Sequence, residues 1–121
     1  MADHEPEHVE TSSLIASDMV EGTSVYNRDG EKMGTILNFM VNKHSGQVEY
    51  AVMSFGGFLG MGADHYPLPW KKLKYVVARH GFVVDLDKET LAKAPKHDRG
   101  NEPIYDATYG MMINEYYGLG R

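Results

Sequence analysis

Residues 48–70, VEYAVMSFGGFLGMGADHYPLPW, set the tightest limits on what this chain can fold into. An extended chain turns successive side chains to opposite sides, so Val48, Tyr50, Val52 and Ser54 share one face and Glu49, Ala51, Met53 and Phe55 share the other. Both faces are largely apolar. A strand wetted on one side alternates more cleanly, so this one belongs in the middle of a curled sheet or barrel, with Glu49 near its mouth. It runs into Gly56, Gly57, Phe58, Leu59, Gly60, Met61 and Gly62, where glycines that accept positive φ are mixed with large apolar side chains. Ordering such a loop costs entropy, which Phe58, Leu59 and Met61 offset only by becoming buried. Two covers are open. The loop is either a lid over the end of its own core, favoured because small monomers seldom expose large apolar patches, or an apolar knuckle docked on another subunit or partner. A phosphate cradle fits less well: no Lys-Ser or Lys-Thr pair follows the glycines, and Asp64 stands where a phosphate needs a donor.

The flanking segments extend the same architecture. Asp18 and Glu21 have the spacing of a capping box, predicting one helical turn that Gly22 ends, before a short strand at 24–26. Asn27, Arg28, Asp29 and Gly30 make a tight turn with Gly30 in the left-handed position. Asn27, Asp29 and Glu31 alternate like calcium-loop ligands, but the loop is too short and the oxygens too few, so the turn is the better explanation. The next strand, 32–42, does not keep one parity, and Gly34 offers the place for a bulge that resets it. A turn at 42–46, ending in Gly46, joins it as an antiparallel hairpin to the strand at Val48. His65 to Pro69 reads as an edge strand, since Pro67 and Pro69 lack ladder donors, and Trp70 to Leu73 as a single turn held by the indole. A second hairpin, 74–78 with 81–86, turns through Arg79, His80 and Gly81. Asp87 caps a short helix at 88–94, stopped by Pro95.

The two ends differ from this core. Residues 1–13 are polar and acidic and read as a flexible tail; His4 and His8 have helical ligand spacing, but Pro6 lies between them and a metal site is disfavoured. Residues 96–102 have the composition of a linker. Beyond it, residues 103–121 form an aromatic arm in which Tyr105, Tyr109, Met112, Ile113, Tyr116 and Tyr117 recur at helical spacing, with Gly110 weakening the helix by about 1 kcal/mol relative to alanine. That stripe needs a surface, either its own barrel or a neighbour's if the arm crosses over.

Chemistry is sparse. The chain has no cysteine, which removes disulfides, thiolate catalysis and cysteine zinc sites. Its net charge of -5 opposes general binding to a phosphate backbone. No long apolar segment or secretory leader is encoded, so no membrane span is expected and the default address is the cytoplasm. Ser54, Asp64 and His65 are the candidates for a nucleophile and its bases, but Ser54 lies within a strand and the adjacent Asp64 and His65 point to opposite sides. Asp85 and Asp87 are a possible carboxylate pair, better explained by the capping role of Asp87. Lys71, Lys72 and Lys74, with Arg79 and His80, form either an anion-binding patch or a charged edge that discourages aggregation. The expectation is a chain with no catalytic site, no metal site and no cofactor.

The segment GTSVYNRDGEKMGTILNFMVNKHSGQVEYAVMSFGGFLGMGADHYPLPWKKLKY resembles the PRC-barrel domain, named for the photosynthetic reaction centre, whose H subunit carries one in its cytoplasmic portion. The likeness covers residues 14–95. It is carried by Gly22 with Val25, the Asp29-Gly30 turn, Gly34, Ser45-Gly46, Phe55-Gly56-Gly57, and Pro69-Trp70 with Leu73; Tyr116, Tyr117 and Gly118 are similar to the tails of small stand-alone bacterial members. The resemblance implies an all-β fold, a small barrel of about six antiparallel strands with short helical segments and a C-terminal helical arm. It also implies docking to other macromolecules: the H subunit supports a membrane complex, and a ribosome-maturation factor uses its barrel, beside a second domain, to engage a ribosomal protein. Neither identity is expected to transfer, because this sequence reads without a membrane helix like the H subunit's or a partner domain like the maturation factor's, and the family carries no common catalytic motif.

The expected function is therefore a non-catalytic interaction or assembly module that self-associates, a dimer being the simplest form, with an unknown protein partner. Phe58, Leu59, Met61, Tyr109, Met112, Ile113, Tyr116 and Tyr117 are the candidate contact residues, and Gly30, Gly34, Gly46, Gly56, Gly57, Pro69 and Trp70 the structural ones. The alternatives are a barrel sensing a small ligand or a metal through the six histidines, and an anion-binding or ribosome-associated module.

Overall fold

In a computed structural model the described residues are 13–56, 64–98 and 100–119. Six strands, β1 (Ser24–Tyr26), β2 (Lys32–Val41), β3 (Val48–Phe55), β4 (Asp64–Pro69), β5 (Leu73–Val76) and β6 (Gly81–Val84), form one sheet in the order β4-β3-β2-β1-β6-β5. It curls into a half-barrel. β4 and β5 remain as its two edges, so the closed barrel expected from the resemblance is replaced by an open one. The expectation that all strands run antiparallel is also corrected, because β1 lies parallel to β6 with Val25 opposite Phe82. Hairpins impose antiparallel pairing only on neighbours joined by short turns, and four other strands separate β1 from β6 along the chain.

Turn chemistry places the strands. The Asn27 side-chain oxygen accepts from the N–H groups of Asp29 and Glu31 at 3.0 and 2.9 Å, while its amide donates to Glu31 Oε1 at 2.8 Å. Asn27 is thereby satisfied although only 3% exposed. Asn42 builds the next turn likewise, accepting from His44 and Ser45 N–H. Gly30, Gly46 and Gly56 have φ of 88, 80 and 88°. Gly57 lies outside the described residues.

Bulges decide which side chains of β2 reach the core. The partner of β1 steps from Gly34 to Lys32 and passes over Met33, so the irregularity falls one residue away from the expected Gly34. A second step, from Ile36 to Asn38, leaves Leu37 as the extra residue. Met33 and Ile36 are consequently both buried and Leu37 is 45% exposed. Gly34 serves close packing instead: a Cβ there would stand 2.5 Å from the Ser54 carbonyl oxygen. β3 is an interior strand with Ala51, Val52 and Met53 buried, and its register slips over Glu49, which is exposed.

The interior is closed by Trp70, at the start of a 3-10 turn, Trp70–Lys72, that leaves the edge strand β4. Its indole lies 6.3 Å from the Phe39 ring on β2 and 5.5 Å from the Phe82 ring on β6, between centroids. Tyr75 of β5 adds an edge contact to Phe82 at 5.2 Å. β5 and β6 are joined through a second 3-10 turn, Val77–Arg79, and His80 at φ 50°.

Three helices complete the chain: α1 (Ser17–Val20), α2 (Lys88–Ala92) and α3 (Ala107–Tyr116). α1 starts one residue before the expected cap, with Ala16 at the N-cap and no side-chain cap, so the Asp18–Glu21 capping box is not made. What holds this turn is Val20 in the core and the Thr23 hydroxyl donating to the Met19 carbonyl. Asp87 caps α2 as expected, accepting from Thr90 N–H at 2.7 Å, and Asp106 caps α3, accepting from Tyr109 N–H at 2.9 Å.

Replacing Trp70 with alanine removes the aromatic contacts to Phe39 and Phe82 across the inner face and is expected to cost about 3 kcal/mol, the lower end of the range for such truncations because the indole is only half-buried. Urea unfolding followed by circular dichroism measures it; a loss below about 1 kcal/mol would show that the ring contacts of the indole contribute little to the fold.

Candidate functional site

The sheet and the C-terminal helix meet along a row of side chains that pairing places on one face. Met40 of β2 stands opposite Tyr50 of β3, and Tyr50 opposite Pro69 of β4. α3 crosses this row at Gly110, where a Cβ would lie 2.6 Å from the Tyr50 hydroxyl. Glycine in the middle of a helix is otherwise unfavourable. Here it lets the helix backbone approach the phenol.

The segment leading into α3 is fastened to the β4 edge. His65 and His97 exchange backbone hydrogen bonds of 2.9 and 3.0 Å, and Lys96 pairs with Asp64 at 3.6 Å and lies over the Tyr66 ring. Part of the stretch with linker composition is thus an extra rung on an edge strand. A chain of rings continues from there: His65 to His97 at 5.5 Å, His97 to Tyr105 at 6.4 Å, Tyr105 to Tyr50 at 5.7 Å and Tyr105 to Tyr109 at 5.1 Å. His97 Nδ1 lies 3.3 Å from the Asp98 carbonyl, which can only accept, so this nitrogen carries the proton. Its Nε2 then accepts from the Tyr105 hydroxyl, also at 3.3 Å.

Within α3 the expected stripe divides. Ile113 and Tyr117 are 0% and 4% exposed and belong to the chain's own core, and Tyr109 is half-buried against it. Met112 and Tyr116 are 46% and 37% exposed, and Tyr116 donates from its hydroxyl to the Thr90 carbonyl of α2. The hydroxyls of Tyr109 and Tyr117 are buried and have no hydrogen-bond partner among the described residues. Phe58, Leu59 and Met61 lie outside the described residues.

Between α3 and the turn end of the β2–β3 hairpin runs a groove of about 540 Å³. Met40, Val41 and Tyr50 line it from the sheet, and Tyr105, Ala107 and Met111 from the arm, with Glu49 and Asp106 among its polar lining. Met40, Val41 and Met111 are 37, 48 and 48% exposed. These were not among the residues singled out from the sequence. The outward turn of Met40 and Val41 follows from register slips that no local pattern announces, and Met111 sits one position off the aromatic stripe.

The other sequence candidates separate. Ser54 and His65 do come opposite one another across β3 and β4, but Asp64, one residue on, is engaged by Lys96 and the His65 ring packs against His97. Asp85 lies 3.5 Å from the Arg28 guanidinium, and Asp87 is spent on its helix cap. Among the described residues no group of three His, Asp or Glu side chains is placed to hold a metal ion, and no helix is long and apolar enough to cross a membrane.

A family model for the PRC-barrel domain matches residues 14–91. α3 and its groove wall therefore lie beyond the matched region. A comparison with curated proteins finds none that matches the chain.

Two measurements follow from the packing of the arm. Gly110→Ala gains helix propensity of about 1 kcal/mol but drives a methyl into the Tyr50 hydroxyl, so its urea midpoint is expected to fall, by the equivalent of about 1 kcal/mol. Adding Tyr50→Phe restores it, since the ring carbon bearing that hydroxyl is 3.9 Å away; a Gly110→Ala single variant more stable than the parent would refute the close approach. Burial pushes the Tyr105 and Tyr117 hydroxyls above their ordinary value of 10.0. The folded state thus favours the neutral phenols, and their contribution is intact below about pH 10 and eroded as pH rises beyond it. In an alkaline titration both should ionise only as the circular dichroism of the fold is lost, and phenolate absorbance that rises fully before that loss would contradict their burial.

Proposed function

Because the chain belongs to the PRC-barrel domain family, and its arm is folded onto the domain with apolar side chains left on the outside, we propose that it is a non-catalytic protein-interaction or assembly module that self-associates as a dimer. The observation that carries this reading is the outer face of α3. Met112 and Tyr116 stand one helical turn apart and exposed on an element whose neighbouring face, through Ile113 and the C-cap Tyr117, is anchored in the core. A helix so anchored presents its outer side chains at little further cost in conformational entropy, which is the advantage a contact surface needs. Methionine and tyrosine also suit such a surface, one being adaptable and the other rigid with a polar tip.

Support for the absence of catalysis is the dispersal of the reactive candidates: the carboxylate next to the Ser54–His65 pair is held by a lysine and faces away along the strand. The sensing alternative gains no specific observation, since His97 already uses both ring nitrogens on Asp98 and Tyr105.

Light scattering coupled to gel filtration tests the dimer. The intact chain is expected at twice its 13.6 kDa mass, and Met112→Lys, which alters only an exposed position, is expected to shift it to the monomer. Removal of the whole arm is a poorer test, because it would also strip Ile113 and Tyr117 from the core. A monomeric mass for the intact chain at every concentration would end the self-association reading.

A further inference from the structure

We propose that the groove between α3 and the β2–β3 hairpin is a docking site for a segment of a second protein in which apolar side chains are flanked by lysine or arginine. The proposal rests on the reading of the chain as an interaction module but uses a different face of α3 from the one assigned to self-association.

Shape and lining come first. Met40, Val41 and Met111 are all more than a third exposed, and they converge on one groove, whereas Met112 and Tyr116 do not line it. Its volume of about 540 Å³ is in the range of binding clefts, and it is floored by the Tyr50 and Tyr105 rings, which are held in place by their mutual contact at 5.7 Å. Methionines over rigid rings give a surface that adapts to an inserted aliphatic or aromatic side chain.

Charge then selects the occupant. Glu49 and Asp106 line the groove, and among the described residues no lysine, arginine or histidine does; Lys71 lies with Glu49 in the adjoining recess. Asp106 is partly engaged in capping α3, but Glu49 is exposed and, among the described residues, takes a long contact, 3.4 Å, from the Asn42 amide. Residues 100–119 carry Glu102, Asp106 and Glu115 and no cationic side chain, within a chain of net charge -5. An acidic partner, or a second copy of this chain, would bring like charge against that rim; a basic one would be drawn to it and held by its apolar residues. One wall of the groove is built from residues beyond the family match, which ends at 91.

The test is a titration by fluorescence anisotropy with a labelled peptide, Lys-Lys-Leu-Lys-Phe-Leu-Lys-Lys, against two controls in which glutamate replaces every lysine or serine replaces every apolar residue. The intact protein should bind the first saturably and at least about tenfold more tightly than either control. Met111→Ser and Glu49→Lys, both at exposed positions and checked for folding by circular dichroism, should each weaken it by about tenfold, and added salt should weaken it less in Glu49→Lys than in the parent. Equal affinity for the lysine and glutamate peptides, or affinity unchanged in both variants, would overturn the proposal. So would a dimer, seen by light scattering, that Met111→Ser dissociates, since a second copy would then own the groove. A failure here with an intact dimer sensitive to Met112→Lys leaves the interaction module standing, whereas a monomer that still binds the peptide removes self-association alone.

Discussion

The indole of Trp70 lies between Phe39 and Phe82 and joins strands that the open sheet does not pair with one another. An open six-stranded sheet has two free edges, and β4 and β5 stand at opposite ends of the strand order. The indole adds an aromatic contact from β2 to β6 across β1, over a core that already holds Met33, Ile36, Phe82 and Val84. Aromatic pairs at these separations contribute about 0.5–1.5 kcal/mol each beyond their buried area, and the Tyr75–Phe82 contact extends the cluster to β5. The half-barrel is thus held by packing across its hollow as well as by the continuous ladder of six strands.

The C-terminal arm solves a second problem. β4 is an edge strand whose prolines leave it unable to recruit another strand along its whole length. His97 pairs with the one rung that Pro67 and Pro69 leave available at His65, and the rings of Tyr105 and Tyr109 carry the chain from there to Tyr50. Gly110 then lets α3 approach closely enough for Ile113 and Tyr117 to enter the core. One consequence is that the outward side chains of α3 are fixed relative to the sheet. The groove beside Met40 and the exposed Met112–Tyr116 face owe their form to this docking.

Much of this architecture was legible beforehand because it is written in short-range chemistry. The Asn27 and Asn42 turns, the Asp87 cap, the edge character of a strand with two prolines and the apolar density of β3 all follow from residues within a few positions of each other. The parallel β1–β6 pairing was not, because nothing local links Val25 to Phe82. The Asp18–Glu21 capping box failed for the opposite reason: a plausible local motif gave way to burial of Val20, with the N-cap two residues earlier at Ala16. The groove was hidden in the same way, since bulges at Leu37 and Glu49 decide which of two apolar neighbours turns outward.

The amino-acid order by itself determined the elements, the likeness to the PRC-barrel domain and the amphipathic need of the arm for a surface, because period, turn residues and side-chain size act over a few residues. Tertiary structure alone decided that the sheet stays open, that Ile113 and Tyr117 face inward while Met112 and Tyr116 do not, and that Met40 and Met111 share a groove. Those outcomes depend on the close approach of Gly110 to Tyr50 and on bulges set by pairing with neighbouring strands, distances that no spacing along the chain encodes.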